Sequence, residues 1–313
     1  MEGLYLFARK MVDLKYPEGH KYREMFIVGL YGLLCKYNNY AKLIWILFMQ
    51  MENYIDDKSV LEIIEDNNLQ LEPNNSEDDA ISSSIHTFIT NQNNDLCHIL
   101  EKPVVVCSNK ENTMLLLNSW CHEMGHLIKS TLNGYKMGIT CSYKSEGQLR
   151  SGLSTFTYVF NKDMLQLYVS SNNSFLDEAI NTIQTTEVID YIISLYDIVP
   201  DCDVKDFLSQ TIKYDNNDYG YDLITQEVRK LWEINEFKEL VEDNIVEGNI
   251  KKIIDDFNET IGDDKAFSKL ELLLDHIYNT DNNMDCLMNY SNNVEQFNKL
   301  VDKYKSGLNK TKQ

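Results

Sequence analysis

Two histidines four residues apart, His122 and His126, frame a glutamate in the segment Cys121-His122-Glu123-Met124-Gly125-His126-Leu127. This HExxH pattern constrains the fold more than any other feature of the chain. Residues four apart share one face of an α-helix, so the two imidazoles reach one metal ion only if the segment is helical. Met114, Leu115, Leu117 and Leu127 recur around it at helical spacing, which predicts a long inward-packed helix from Met114 to Leu132. Neighbouring imidazoles in a core need a partner charge or a metal. With 6 histidines in 313 residues, the pattern arises by chance in about one such chain per hundred. The competing reading, a surface helix with two solvated histidines, fits poorly with the apolar surroundings.

The same geometry assigns roles. Glu123 projects beside the metal position without binding there, where it can take a proton from an activated water. A tetrahedral zinc site with two histidines and one open position needs one more protein ligand. A third histidine in the extended form of the pattern is excluded, because Lys129 and Leu132 occupy the two later positions. The other solution is a glutamate from a following helix. Leu176-Asp177-Glu178-Ala179-Ile180-Asn181 supplies one, 52 residues past His126. On a helical projection Glu178, Asn181, Thr182 and Thr185 share a face with Ile189, Ile192 and Tyr196. That face turns polar over its first two turns, as a helix lining a cleft would. Glu178 is the expected third ligand, against the blander account of a first-turn carboxylate favoured by the helix dipole. Glu187, Glu146, Asp177 and His98 are its rivals. Glu187 is the weaker of these, since it falls on the opposite side with Leu176, Ile180 and Ile183. Two imidazoles and a carboxylate suit zinc, one ion per chain.

The remainder of the chain bounds the setting. With 49 acidic against 29 basic side chains, the net charge of -20 argues against nucleic acid as a partner. Only 13 Gly and 4 Pro argue against a many-turned all-β chain. The 7 cysteines are odd in number and contain no CxxC pair, which suggests reduced thiols and a cytoplasmic protein. The early apolar runs Met25 to Cys35 and Leu43 to Met49 are shorter than the roughly 20 residues a membrane span needs.

Hydrophobic periodicity predicts an α+β fold, predominantly helical, in three regions: a helical one over 1–72, a mixed catalytic core over 73–200 and a helical one over 201–313. Ser59 to Glu62 forms a capping box, and the polar run Glu72 to Asp79 marks the first boundary. Ile81 to Thr90 and Pro103 to Cys107 read as strands. Ile139 to Lys144 and Leu149 to Phe160 read as two more, joined near Gly147, with another at Leu165 to Ser170. A second long helix begins at Ser174 and runs to Tyr196. The basic tail Lys303 to Gln313 is expected to fray.

His122-Glu123-Met124-Gly125-His126 followed by Leu176-Asp177-Glu178-Ala179 resembles the gluzincin zinc metallopeptidases, in the form of the small peptidase-like proteins of Firmicutes and their phages. The resemblance covers roughly residues 80 to 200. It implies a zincin-like core of a small mixed sheet, the HExxH helix and a second ligand helix. It also implies a peptide or protein substrate, bound as an added strand on a sheet edge for which Ile81 to Thr90 is the candidate. One departure is that Asn181 and Thr182 stand where such enzymes often carry a carboxylate after the glutamate. The family further implies a C-terminal Tyr or His that stabilises the oxyanion. Tyr221 is chosen for that role, with Tyr219, Tyr158 and His276 beside it. Two alternatives stay open: a non-peptidase or regulatory zinc protein, and a helical interaction protein in which HExxH is accidental.

Overall fold

The helix α2 (Arg23–Lys36) is apolar on every side, and a helix of that kind must be surrounded. Its residues from Met25 to Leu34 are all buried, beneath α1 (Glu2–Lys15) and α3 (Tyr40–Met49). The HExxH helix α4 (Thr113–Lys129) and the second long helix α5 (Phe175–Ser194) also pack against it. The computed structural model describes residues 2–49, 55–56, 80–90, 96–108, 113–130, 136–137, 144–161, 166–172, 175–199, 202–211, 222–279 and 284–311. The Ser59 capping box, the Glu72 to Asp79 boundary, Ser174, Tyr219 and Tyr221 lie outside the described residues.

Helices dominate, and the strands fall between α3 and α5. β1 (Ile55–Asp56) runs parallel to β3 (Leu96–Ser108), and β2 (Ala80–Thr90) pairs antiparallel on β3's other side. The order β1-β3-β2 leaves β2 at an edge of this sheet among the described residues. Ile81 stands opposite Val106 and Phe88 opposite Ile99. α4 packs against both β2 and β3. A second sheet takes the order β4 (Lys136–Met137), β5 (Lys144–Ser151), β6 (Ser154–Asn161), β7 (Gln166–Asn172).

The hairpin within that second sheet departs from the sequence expectation. No turn occurs near Gly147, which pairs with Tyr158 inside the β5–β6 ladder. The chain turns instead at Gly152-Leu153, where Gly152 has φ 55, a left-handed conformation that costs little only for glycine. The tight turn is therefore set by a φ requirement five residues later than the glycine chosen from sequence.

Beyond α5 come a 3₁₀ turn (Leu195–Asp197), α6 (Cys202–Thr211), α7 (Asp222–Trp232), α8 (Asn235–Ile245), α9 (Ile250–Ile261), α10 (Ala266–Tyr278) and α11 (Met284–Thr311). The expected fraying after Lys303 does not occur, since α11 continues to Thr311. Buried Phe297, Leu300, Val301 and Tyr304 hold it to the core, and Tyr304 stacks on Phe257 with ring centroids 4.9 Å apart.

The apolar interior forms two cores. One joins α1 to α4 with the second half of α5, through Val188, Ile189 and Ile192. The other joins the first half of α5, through Leu176, Ala179, Ile180 and Ile183, to α7 through α11. Thus α5 passes from one core to the other, and its polar residues lie along the seam. No helix among the described residues is long and apolar enough to cross a membrane.

Candidate metal centre

The seam holds the site. On α4, His122 and His126 are each 7% exposed, four residues apart on the face turned to α5. Their Nε2 atoms stand 3.1 Å apart. Glu178, in the first turn of α5, places Oε2 3.2 Å from His126 Nε2 and 3.4 Å from His122 Nε2. Three donor atoms of the types zinc prefers therefore form a nearly equilateral triangle. Zinc held tetrahedrally by bonds of about 2.0–2.1 Å separates its ligand atoms by about 3.3–3.4 Å, so the donor set fits such an ion. The Glu178 side chain keeps 29% exposure, which leaves the triangle open on one side.

A second carboxylate orients one of the two imidazoles. Asp177 is 1% exposed and places Oδ2 3.5 Å from His126 Nδ1. A proton on Nδ1 facing Asp177 leaves the Nε2 lone pair directed at the triangle, the arrangement that ligating histidines adopt. The Asp177 carboxylate is itself held, because the Leu153 backbone N–H donates to Oδ1 at 2.9 Å. The β5–β6 turn reaches the end of α4 as well, where the Gly152 N–H donates to the Lys129 carbonyl at 3.3 Å. Arg150 fastens the turn from beneath, donating to the Gly152 carbonyl at 2.5 Å and to Ile245 at the end of α8 at 3.2 Å.

Charge in the triangle is strongly coupled. Burial disfavours a charged imidazole, yet the Glu178 charge and the hydrogen bond to Asp177 outweigh it and push His126 up to about 10. Burial likewise opposes ionised Glu178, but the His126 charge and the bonds from both histidines hold it well below the usual carboxylate range. Asp177 is also lowered against its burial, with Lys129 and His126 as the opposing causes. In the absence of a metal, that balance favours a proton on His126. A cation at the triangle supplies the same positive charge and displaces that proton.

Glu123 is 8% exposed on α4, and among the described residues none hydrogen-bonds or ion-pairs its carboxylate. A buried carboxylate that no described residue engages is open to water. Cys121, beside His122, is a free thiol packed in the core, 1% exposed.

The other sequence candidates fall elsewhere. Glu187 is engaged with Lys36 of α2, with Lys238 at 2.8 Å and with the Trp232 indole N–H at 3.1 Å, so it does not join the triangle. Glu146 and His98 lie in β5 and β3, and Tyr158 in β6. His276 is exposed on α10. Asp177 is a rival ligand on sequence alone, but adjacent helical residues point about 100° apart and do not both meet one ion. That angle was the available signal for its true position, beside the outer nitrogen of His126. Nothing local in the sequence marks Gly152 or Leu153 as neighbours of the site.

No protein-family model matches the chain, and comparisons with curated proteins and with solved structures likewise give no match.

Proposed function

We propose that the chain is a zinc-dependent peptidase with a zincin-like core, in which His122, His126 and Glu178 hold the ion and Glu123 is the general base. The observation that carries this reading is the convergence of three donor atoms within 3.1–3.4 Å, two from α4 and one from α5, beside a glutamate on α4 that no described residue engages. The edge position of β2, packed on the HExxH helix, supports a peptide substrate, because an edge strand offers unpaired backbone groups to an extended chain.

When bound, zinc supplies a Lewis acid that polarises the scissile carbonyl and makes water a better nucleophile. Glu123 takes the proton from the attacking water at its carboxylate and delivers it to the leaving amine nitrogen, so the base of the first step is the acid of the second. Asp177 keeps the His126 ring in one tautomer and one orientation. The turn at Leu153 keeps Asp177 in place through its backbone N–H.

Metal analysis by mass spectrometry, paired with cleavage of a mixed peptide library, tests the proposal. One zinc per chain, lost in His126→Ala and Glu178→Ala, with cleavage products that vanish with the metal, is the expected result. A chain that stays metal-free after zinc is supplied and excess removed would sink it. A zinc-loaded chain that cleaves no peptide would leave a metal protein of another kind.

A further inference from the structure

The seam between α4 and α5 contains a buried cation that the proposed hydrolysis does not use. Lys129 is 0% exposed and lies two turns beyond His122 on the same face of α4. Its ammonium donates to Asn181 Oδ1 at 2.7 Å. Asn181, also 0% exposed, donates through Nδ2 to the His122 backbone carbonyl at 2.8 Å. The two ends of this chain of bonds fix its direction. An ammonium only donates and a carbonyl only accepts, so the Asn181 amide has a single satisfied orientation between them. The approach is close, because a Cβ on Gly125 would fall 2.4 Å from Asn181 Oδ1. The glycine inside the HExxH pattern therefore makes room for the asparagine, which follows Glu178 by three residues on one face of α5.

Burying an ammonium is expensive, and an apolar side chain of similar length would fill the same space without that desolvation cost. Burial pulls the Lys129 ammonium down, and the Asp177 and Glu178 charges that it faces oppose that pull. We infer that Lys129 and Asn181 form a clamp that registers α5 against α4, with Lys129 a positioning residue that keeps Glu178 at ligand distance from both imidazoles. This rests on the metal-site reading above. An amide at Asn181 can bridge a donor and an acceptor, and an ionised carboxylate cannot.

The test is zinc affinity by competition with a chromophoric chelator, together with the absorption bands of the cobalt-loaded protein. The proteins compared are wild type, Lys129→Met, Asn181→Ala and the double variant. The clamp predicts that each single variant loses about 10–100-fold in zinc affinity and shifts the cobalt bands. It also predicts that the double variant loses no more than the worse single one, since both remove one device. Charge alone predicts the opposite sign for Lys129→Met, because removing an ammonium near a cation site strengthens cation binding. Unchanged or tighter zinc binding in Lys129→Met, or additive losses in the double variant, would overturn the clamp. Should Lys129→Met fail to fold, Gly125→Ala displaces Asn181 with every charge in place, and wild-type affinity in that variant overturns the clamp equally. A wild-type chain that binds no zinc overturns the metal reading and the clamp together, whereas wild-type binding with unaffected variants overturns the clamp alone.

Discussion

A Cβ placed on Gly152 would fall 1.9 Å from Oδ1 of Asp177, so the hairpin turn and the carboxylate behind His126 occupy touching positions. Any side chain at Gly152 meets two penalties. Its left-handed φ of 55 costs an L-residue about 1–2 kcal/mol, and the Asp177 carboxylate must also move. Gly152→Ala is expected to lower the thermal midpoint and to weaken zinc binding, because a displaced Asp177 no longer orients His126. Asp177→Ala should weaken zinc binding by about 10–100-fold. Calorimetry and chelator competition measure the two effects. Wild-type zinc affinity in Gly152→Ala would mean that the turn does not act on the site.

The coupled charges predict how the metal-free chain responds to pH. His126 is raised from 6.5 to about 10, so its pairing stabilises the fold fully below pH 6.5 and fades as pH rises through about 10. Glu178 is lowered below 4.5, so its share is present above pH 4.5 and is lost as pH falls through its folded value. Unfolding midpoints in chelator should therefore decline steadily from pH 7 to pH 10. Zinc removes that decline, because the metal-bound imidazole is already neutral and keeps its Nδ1 proton across this range. Loading the chain at pH 8 should release about one proton per zinc, readable with a pH indicator in weak buffer. A flat alkaline profile without metal, or no proton release, would contradict the charged state assigned to His126.

How far the sequence disclosed this arrangement depended on whether the relevant geometry was local. The HExxH spacing fixed the partnership of His122 and His126, since both belong to one helix with a known repeat. The polar start of an otherwise apolar helix singled out Glu178 for the same reason. The strand from Ile81 to Thr90 was legible from its β-branched run, and β2 occupies Ala80–Thr90. What stayed hidden came from contacts across the fold. In the sequence Lys129 only excludes the extended histidine pattern, and nothing local shows that it is buried against Asn181. The tail after Lys303 looked polar enough to fray, but Tyr304 packs into a core built by helices far away in sequence. The sequence put the turn near Gly147, and the strand register puts it at Gly152 instead.

Glu187 shows how a rejected ligand can still matter. It receives Lys36 from α2, Trp232 from α7 and Lys238 from α8, and Lys36 in turn reaches Glu242, so four helices meet at one carboxylate. Lys36 is 8% exposed, which makes loss of its partner costly. Glu187→Ala should destabilise the fold by about 1–3 kcal/mol, since Glu242 still pairs the lysine. Zinc stoichiometry should stay at one per chain. Denaturant unfolding with metal analysis on the same sample checks both statements, and loss of zinc at full stability would return Glu187 to the list of ligands.

Glu123→Gln separates binding from chemistry more cleanly than any other change. The amide keeps the size of the carboxylate but cannot accept the water's proton, and no described residue depends on that carboxylate for a hydrogen bond. Zinc content, the unfolding midpoint and the cobalt bands should all match wild type. Peptide cleavage should fall by about 10²–10⁴-fold in kcat with little change in KM, as expected for a lost general base. Cleavage at the wild-type rate would assign the proton transfer to another residue, even if zinc binding by His122, His126 and Glu178 stood.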